Sequence, residues 1–129
     1  MSAVAKTSMT MFDRINNLLL TDLKKILNCE LHNENRVNLY DVGECWVAFD
    51  KSAYLLEQMD KDIDKPLVLY LQNHPFPLVM RSAHYHKVKD MCRKHIMTKR
   101  DMEQLQFVTH PIDDNSYAQW YRRLVIEEE

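Results

Sequence analysis

Seven basic side chains fall between positions 81 and 100: Arg81, Lys87, Lys89, Arg93, Lys94, Lys99 and Arg100, against one acid, Asp90. That segment carries +6, so the remainder of a chain with net charge −2 carries −8. Cations at this density suit phosphate groups or an acidic protein surface, held by salt-sensitive electrostatics. His84, Tyr85 and His86 stand beside them and offer rings for stacking on bases. The same residues fit a plainer role, the solvated face of a helix that packs on a core. The near-neutral total argues against a wholly basic nucleic-acid binder.

Metal and catalytic chemistry have less to work with. Cys29-Glu-Leu-His32 and Cys92-Arg-Lys-His95 share the C-x-x-H spacing, and two such pairs could complete a Cys₂His₂ zinc site. The six histidines and three cysteines make chance pairs common, and the glycines of zinc knuckles are absent. Cys92 also reads as a small hydrophobe beside Met91. Asp60, Asp62 and Asp64 alternate, but no Gly–Glu completion of a calcium loop follows, so a solvated loop is the better reading. One glycine in 129 residues excludes a phosphate-binding loop and a dinucleotide fingerprint. No G-x-S-x-G occurs, and spacing singles out no Cys–His nucleophile pair. The expectation is a protein without catalytic residues, bound metal or cofactor.

The elements that must position these side chains follow from hydrophobic periodicity. Thr10 with Asp13 resembles a capping box, and Phe12, Ile15, Leu19, Leu23 and Ile26 then recur at helical spacing to about Asn28. Two β-rich runs, Arg36–Tyr40 and Glu44–Phe49, meet around Asp41-Val42-Gly43. A tight hairpin needs a residue at positive φ, which explains why the single glycine is Gly43. Alternation places Cys45, Val47 and Phe49 on one face and Trp46 and Ala48 on the other. Both faces are apolar, which predicts a central strand covered on both sides.

From Asp50 a helix begins, carrying Ala53, Leu55, Leu56 and Met59. A charged loop leads to a short strand, Leu67–Leu71. Two prolines in His74-Pro-Phe-Pro77 impose an extended path, and Leu78–Arg81 reads as a further strand. A helix starts near Ser82 or His84, with His84, Val88, Met91, Cys92, His95 and Ile96 on one face. Leu105–Thr109 is a strand. Asp113 or Asp114 caps a last helix whose stripe of Tyr117, Trp120, Tyr121 and Leu124 reads as docked on its own core. The predicted order is α-ββ-α-β-(β)-α-β-α: a mixed α/β fold with a central mixed sheet of four to five strands and about four helices.

Composition bounds the rest. A length of 129 residues with 46% hydrophobic and 28% charged residues fits one globular domain over 10–129, with 1–9 as a loose leader. The longest apolar run is a few residues, such as Leu18-Leu19-Leu20, far below the roughly 20 needed to span a bilayer. The start lacks the pattern of a signal peptide. An odd number of scattered cysteines fits reduced thiols in the cytoplasm.

LYDVGECWVAFDKSA, residues 39–53, resembles the opening strand–turn–strand–helix of the N-terminal mismatch-recognition domain of the MutS family. Gly43, Glu44, Trp46, Phe49 and Ala53 stand in register with that pattern. In HPFPLVMRSAHYHKVKDMCRK, Pro77 and His84 match the family's later Pro and His segment. The similarity spans about residues 36–109. It implies a mixed sheet flanked by helices and descent from a DNA-contacting module. The family's aromatic wedge and its glutamate correspond to Cys45 and Val47, which can neither stack on a base nor accept its hydrogen bond, so mismatch reading by that route is not expected. The function expected is a non-enzymatic binding module that meets nucleic acid or an acidic partner through Arg81, Lys87, Lys89, Arg93, Lys94, Lys99 and Arg100. The alternative is a protein-interaction or homo-oligomerising module that touches no nucleic acid; neither involves a membrane.

Overall fold

A computed structural model describes residues 10–62 and 65–127. The leader expected over 1–9 and the acid at position 64 lie outside these residues. Thr10 opens the first helix, α1 (Met11–Leu31), by a reciprocal capping box with Asp13, each backbone N–H reaching the other's side-chain oxygen at 3.1 Å. The chain continues through β1 (Arg36–Asp41), β2 (Trp46–Phe49), α2 (Asp50–Met59), β3 (Leu67–Leu69), β4 (Leu78–Ala83), α3 (Tyr85–Lys94), β5 (Met97–Arg100), β6 (Gln104–Val108) and α4 (Asp114–Arg122), which runs into a π-helical turn at Arg123–Glu127. Asp113 caps α4, its carboxylate accepting from the Asn115 and Ser116 N–H groups.

The mixed α/β class holds, but the described sheet has six strands in the order β3-β4-β2-β1-β6-β5, and every pairing is antiparallel. The expected mixed sheet fails for a topological reason. α2 carries the chain from β2 to β3, which run in the same direction, but β4 returns between them and pairs with both. α3 likewise joins β4 to β5, whose directions agree but which lie far apart in the sheet. The strand missed in sequence is β5, Met-Thr-Lys-Arg, with no apolar alternation to betray it. It is an edge strand, and lysine on an exposed edge discourages further pairing.

Helices cover both faces. α1 closes one, over Tyr40, Val47, Phe49, Leu78 and Met80. The other face packs Val37, Leu39, Ala48, Val79, Leu105 and Phe107 against α2, α3 and α4, and the aromatic stripe of α4 docks here, with Trp120 buried. β2 is central and its two faces divide as the alternation predicts, Val47 and Phe49 under α1 and Trp46 and Ala48 opposite.

Gly43 has φ of +95°, as the hairpin requires. The turn is tighter than the sequence suggests: Val42 N–H donates to the Cys45 carbonyl at 3.1 Å, leaving Gly43 and Glu44 as the tip. Gly43 N–H donates to Asp41 Oδ1 at 2.8 Å, an Asx-type link that fixes the carboxylate.

Buried polar groups join the layers at the C-terminal end of α1. The Glu30 carboxyl accepts from Ser52 N–H at 2.8 Å, Ser52 Oγ at 2.7 Å, Asn38 Nδ2 at 3.2 Å and Asn33 Nδ2 at 3.3 Å. Asn33 also pairs with the Arg36 backbone, and Asn38 Oδ1 accepts from Gln106 Nε2 at 2.6 Å. One network therefore holds α1, β1, α2 and β6. Burial pushes the Glu30 carboxyl up to about 7 despite its donors.

Candidate nucleic-acid interface

The structure divides the basic residues among three settings. Arg81 points into the core from β4, where its guanidinium pairs with Glu57 of α2; the side chain is 7% exposed, and Glu57 also accepts from Trp120 Nε1 at 2.5 Å. It is therefore removed from the basic surface, because strand alternation turns it beneath α4. Lys87 is half-buried and pairs with Asp60 at 3.0 Å, which spends its charge within the fold and holds the Asp60 carboxyl below its usual range.

Lys89, Arg93 and Lys94 are exposed on α3, and Lys99 and Arg100 are exposed on β5 rather than on the helix. Arg93 meets Asp90 at 3.4 Å across open solvent, a contact worth little in water. Lys99 Nζ donates to Gln104 Oε1 at 3.0 Å. The helix itself begins at Tyr85, with His84 at its N-cap, and ends at Lys94. His84 is consequently exposed, and Ile96, beyond the helix, is 73% exposed instead of sharing the buried face.

Lys89 and Arg100 come from different elements yet line one cleft of about 280 Å³ with Trp46, Tyr85 and Cys92. The Trp46 and Tyr85 rings meet edge to face at 6.0 Å. Tyr85 is 41% exposed, and its hydroxyl donates to Asp41 Oδ1 at 2.6 Å. Burial, then the Asp41 carboxylate, pushes the phenol up to about 12, so it remains a donor. The oxygen that Gly43 N–H fixes is thus the one that orients Tyr85 against Trp46. Asp101 adds a negative charge to the cleft, and the Glu103 N–H at 2.9 Å and Gln104 N–H at 2.7 Å that donate to its carboxylate hold it low and so keep it ionised.

Trp46 was not marked as a site residue by its sequence. Only the register Trp46↔Ala83 places it beside the start of α3. The positions aligned with the MutS wedge and glutamate, Cys45 and Val47, are buried beneath α1, at 7% and 0% exposure, and present no side chain to a duplex. The two C-x-x-H pairs lie on opposite sides of the sheet, one on α1 and one at α3. His32 meets the Asn28 carbonyl at 3.0 Å and His95 stacks on Phe107 at 5.4 Å. Cys29, Cys45 and Cys92 are thiols outside any disulfide, and among the described residues no group of three ligating side chains forms a metal site. No described helix is long and apolar enough to cross a membrane.

Set against protein-family models, curated proteins and solved structures, the chain matches none.

Proposed function

We propose that this protein is a non-enzymatic binding module whose α3–β5 face takes single-stranded nucleic acid. The observation that carries this reading is the cleft in which Lys89 and Arg100 flank the Trp46–Tyr85 pair. An aromatic platform between cations is the arrangement that stacks a base while neutralising its phosphates. Arg93 and Lys94 add exposed cations on the same helix as Lys89, whereas Lys99 turns to the α1 side of the sheet beside Gln104 and Gln106, and Arg81 and Lys87 take no part. The resemblance of residues 36–109 to the MutS N-terminal domain belongs to the same proposal, as ancestry from a DNA-contacting module without its mismatch chemistry.

The alternative, a protein-interaction or homo-oligomerising module, would have to use surfaces other than the stripe of Tyr117, Trp120 and Tyr121, which packs on the core. The test is fluorescence anisotropy with labelled single- and double-stranded oligonucleotides over a range of salt. Replacing Lys89 and Arg100 by glutamine should flatten the salt slope by roughly 0.7 for each phosphate that is no longer neutralised. Trp46→Ala should cost about 1–3 kcal/mol if a base stacks there, and matched and mismatched duplexes should bind alike. No binding at micromolar protein and low salt would refute the reading and promote a protein partner.

A further inference from the structure

A second concave region lies away from the basic face, where α1, α2, α4 and the β3–β4 loop converge. Two adjoining cavities of about 320 and 330 Å³ share Asp50, His74, Phe76 and Tyr117 as lining. Asp50 begins α2 with φ of +46°, a left-handed conformation that costs energy in any residue with a Cβ. Its Oδ1 accepts from Val79 N–H at 2.9 Å, which ties α2 to β4, and His74 stands close enough to favour the ionised carboxylate.

The walls are rings held in place. Tyr121 donates its hydroxyl to the Pro77 carbonyl at 2.5 Å. Tyr117 sits in an aromatic group, 5.8 Å from Tyr54, 5.9 Å from Trp120 and 6.1 Å from Tyr121. Phe76 is 66% exposed at the mouth, between two prolines that preset its backbone, and Asn73, at φ of +62°, turns the loop before it. The Tyr117 ring already carries one cation: Lys51 Nζ stands 5.9 Å from its centroid, on the side of the second cavity. Lys51 does not line the first cavity, so that cavity keeps a carboxylate and aromatic walls without a lysine of its own.

We propose that the first cavity binds a compact organic ammonium group, with the Asp50 carboxylate as counter-charge and Phe76, Tyr117 and Tyr121 as walls. Ring faces attract such a cation through their quadrupoles, and a partly buried carboxylate supplies the directional partner. Aspartate at position 50 also places a negative charge in the first turn of α2, and asparagine is the substitution that removes the charge while keeping the geometry. Asparagine tolerates left-handed φ and can accept from Val79 N–H; only aspartate adds the charge. Burial pushes the Asp50 carboxyl up to about 6, so it is ionised in mildly alkaline solution.

The test is a titration of the full chain with choline, and with its uncharged carbon isostere dimethylbutanol, at about pH 8, followed by amide chemical-shift mapping. Choline should shift the amides of Asp50, His74, Phe76, Tyr117 and Tyr121, and dimethylbutanol should not. Asp50→Asn should keep the spectrum of the folded protein and weaken choline by about tenfold or more. Phe76→Ala, a change at an exposed position, should weaken it without altering thermal stability. Equal shifts from the uncharged isostere, shifts outside the groove, no shifts at all, or unchanged affinity in Asp50→Asn would each overturn the proposal.

Discussion

Replacing Glu30 by glutamine should change how stability depends on pH. Burial raises this carboxyl from 4.5 to about 7. Between those values the folded chain keeps a proton that the unfolded chain has released, so stability falls as pH rises. Below the window both states are protonated, and above it both are ionised, so the slope vanishes at each end. Within it the loss runs at about 1.4 kcal/mol per pH unit, or about 3 kcal/mol in all. Glutamine cannot titrate, so Glu30→Gln should lack this component. Its stability at any single pH also reflects donors from Ser52, Asn38 and Asn33 that lose an acceptor, but that offset is independent of pH. Asp50, raised from 3.8 to about 6, acts with the same sign in both proteins and cancels in the comparison. Urea unfolding followed by tryptophan fluorescence from about pH 5 to about pH 8 measures the difference. The wild-type chain should lose about 2.5 kcal/mol more than the variant across that range, since part of the loss occurs below about pH 5. Parallel curves would refute the argument, because they would mean Glu30 is ionised throughout.

Gly43→Ala should destabilise the fold by about 1 kcal/mol or more in denaturant titrations, through its backbone rather than a clash. The new Cβ would first meet the flexible Arg14 side chain, 2.7 Å away, which can swing aside. Arg81→Met should cost about 3 kcal/mol by leaving Glu57 without its cation beneath α4, and adding Glu57→Gln should restore part of that loss. Chelator should leave the thermal midpoint unchanged, since the C-x-x-H pairs lie on opposite faces; one zinc per chain by elemental analysis would contradict this.

Local chemistry was legible where one residue type has one use. Gly43 marked a positive φ, Thr10 with Asp13 marked a helix start, and the alternation of Cys45 to Phe49 marked a strand covered on both faces. β5 was illegible because an exposed edge strand needs no apolar pattern, so Lys99 and Arg100 read as part of a basic helix. Arg81 misled for a related reason: a cation in sequence carries no sign of being turned inward, and Glu57 lies 24 positions earlier. The contribution of Trp46 to the cleft and the positive φ of Asp50 depend on pairings between distant segments. Periodicity cannot report either one.

The cover on the two faces of the sheet is unequal. Three helices share one face, whereas α1 alone shields the other. Its C-terminal end is bound by the Glu30 network, but its opening turn is held by a capping box and a contact of 3.6 Å between Cys45 Sγ and Met11 Sδ. Ile15 and Ile26 bury the helix along its length, so only the turn ahead of Ile15 can fray while the rest of the domain stays folded. Amide exchange should then be fastest near Met11 and slow progressively toward Glu30. Fraying of that turn would uncover Cys45, which is 7% exposed beneath Met11, so the rate at which an alkylating reagent modifies it reads the opening of the first turn.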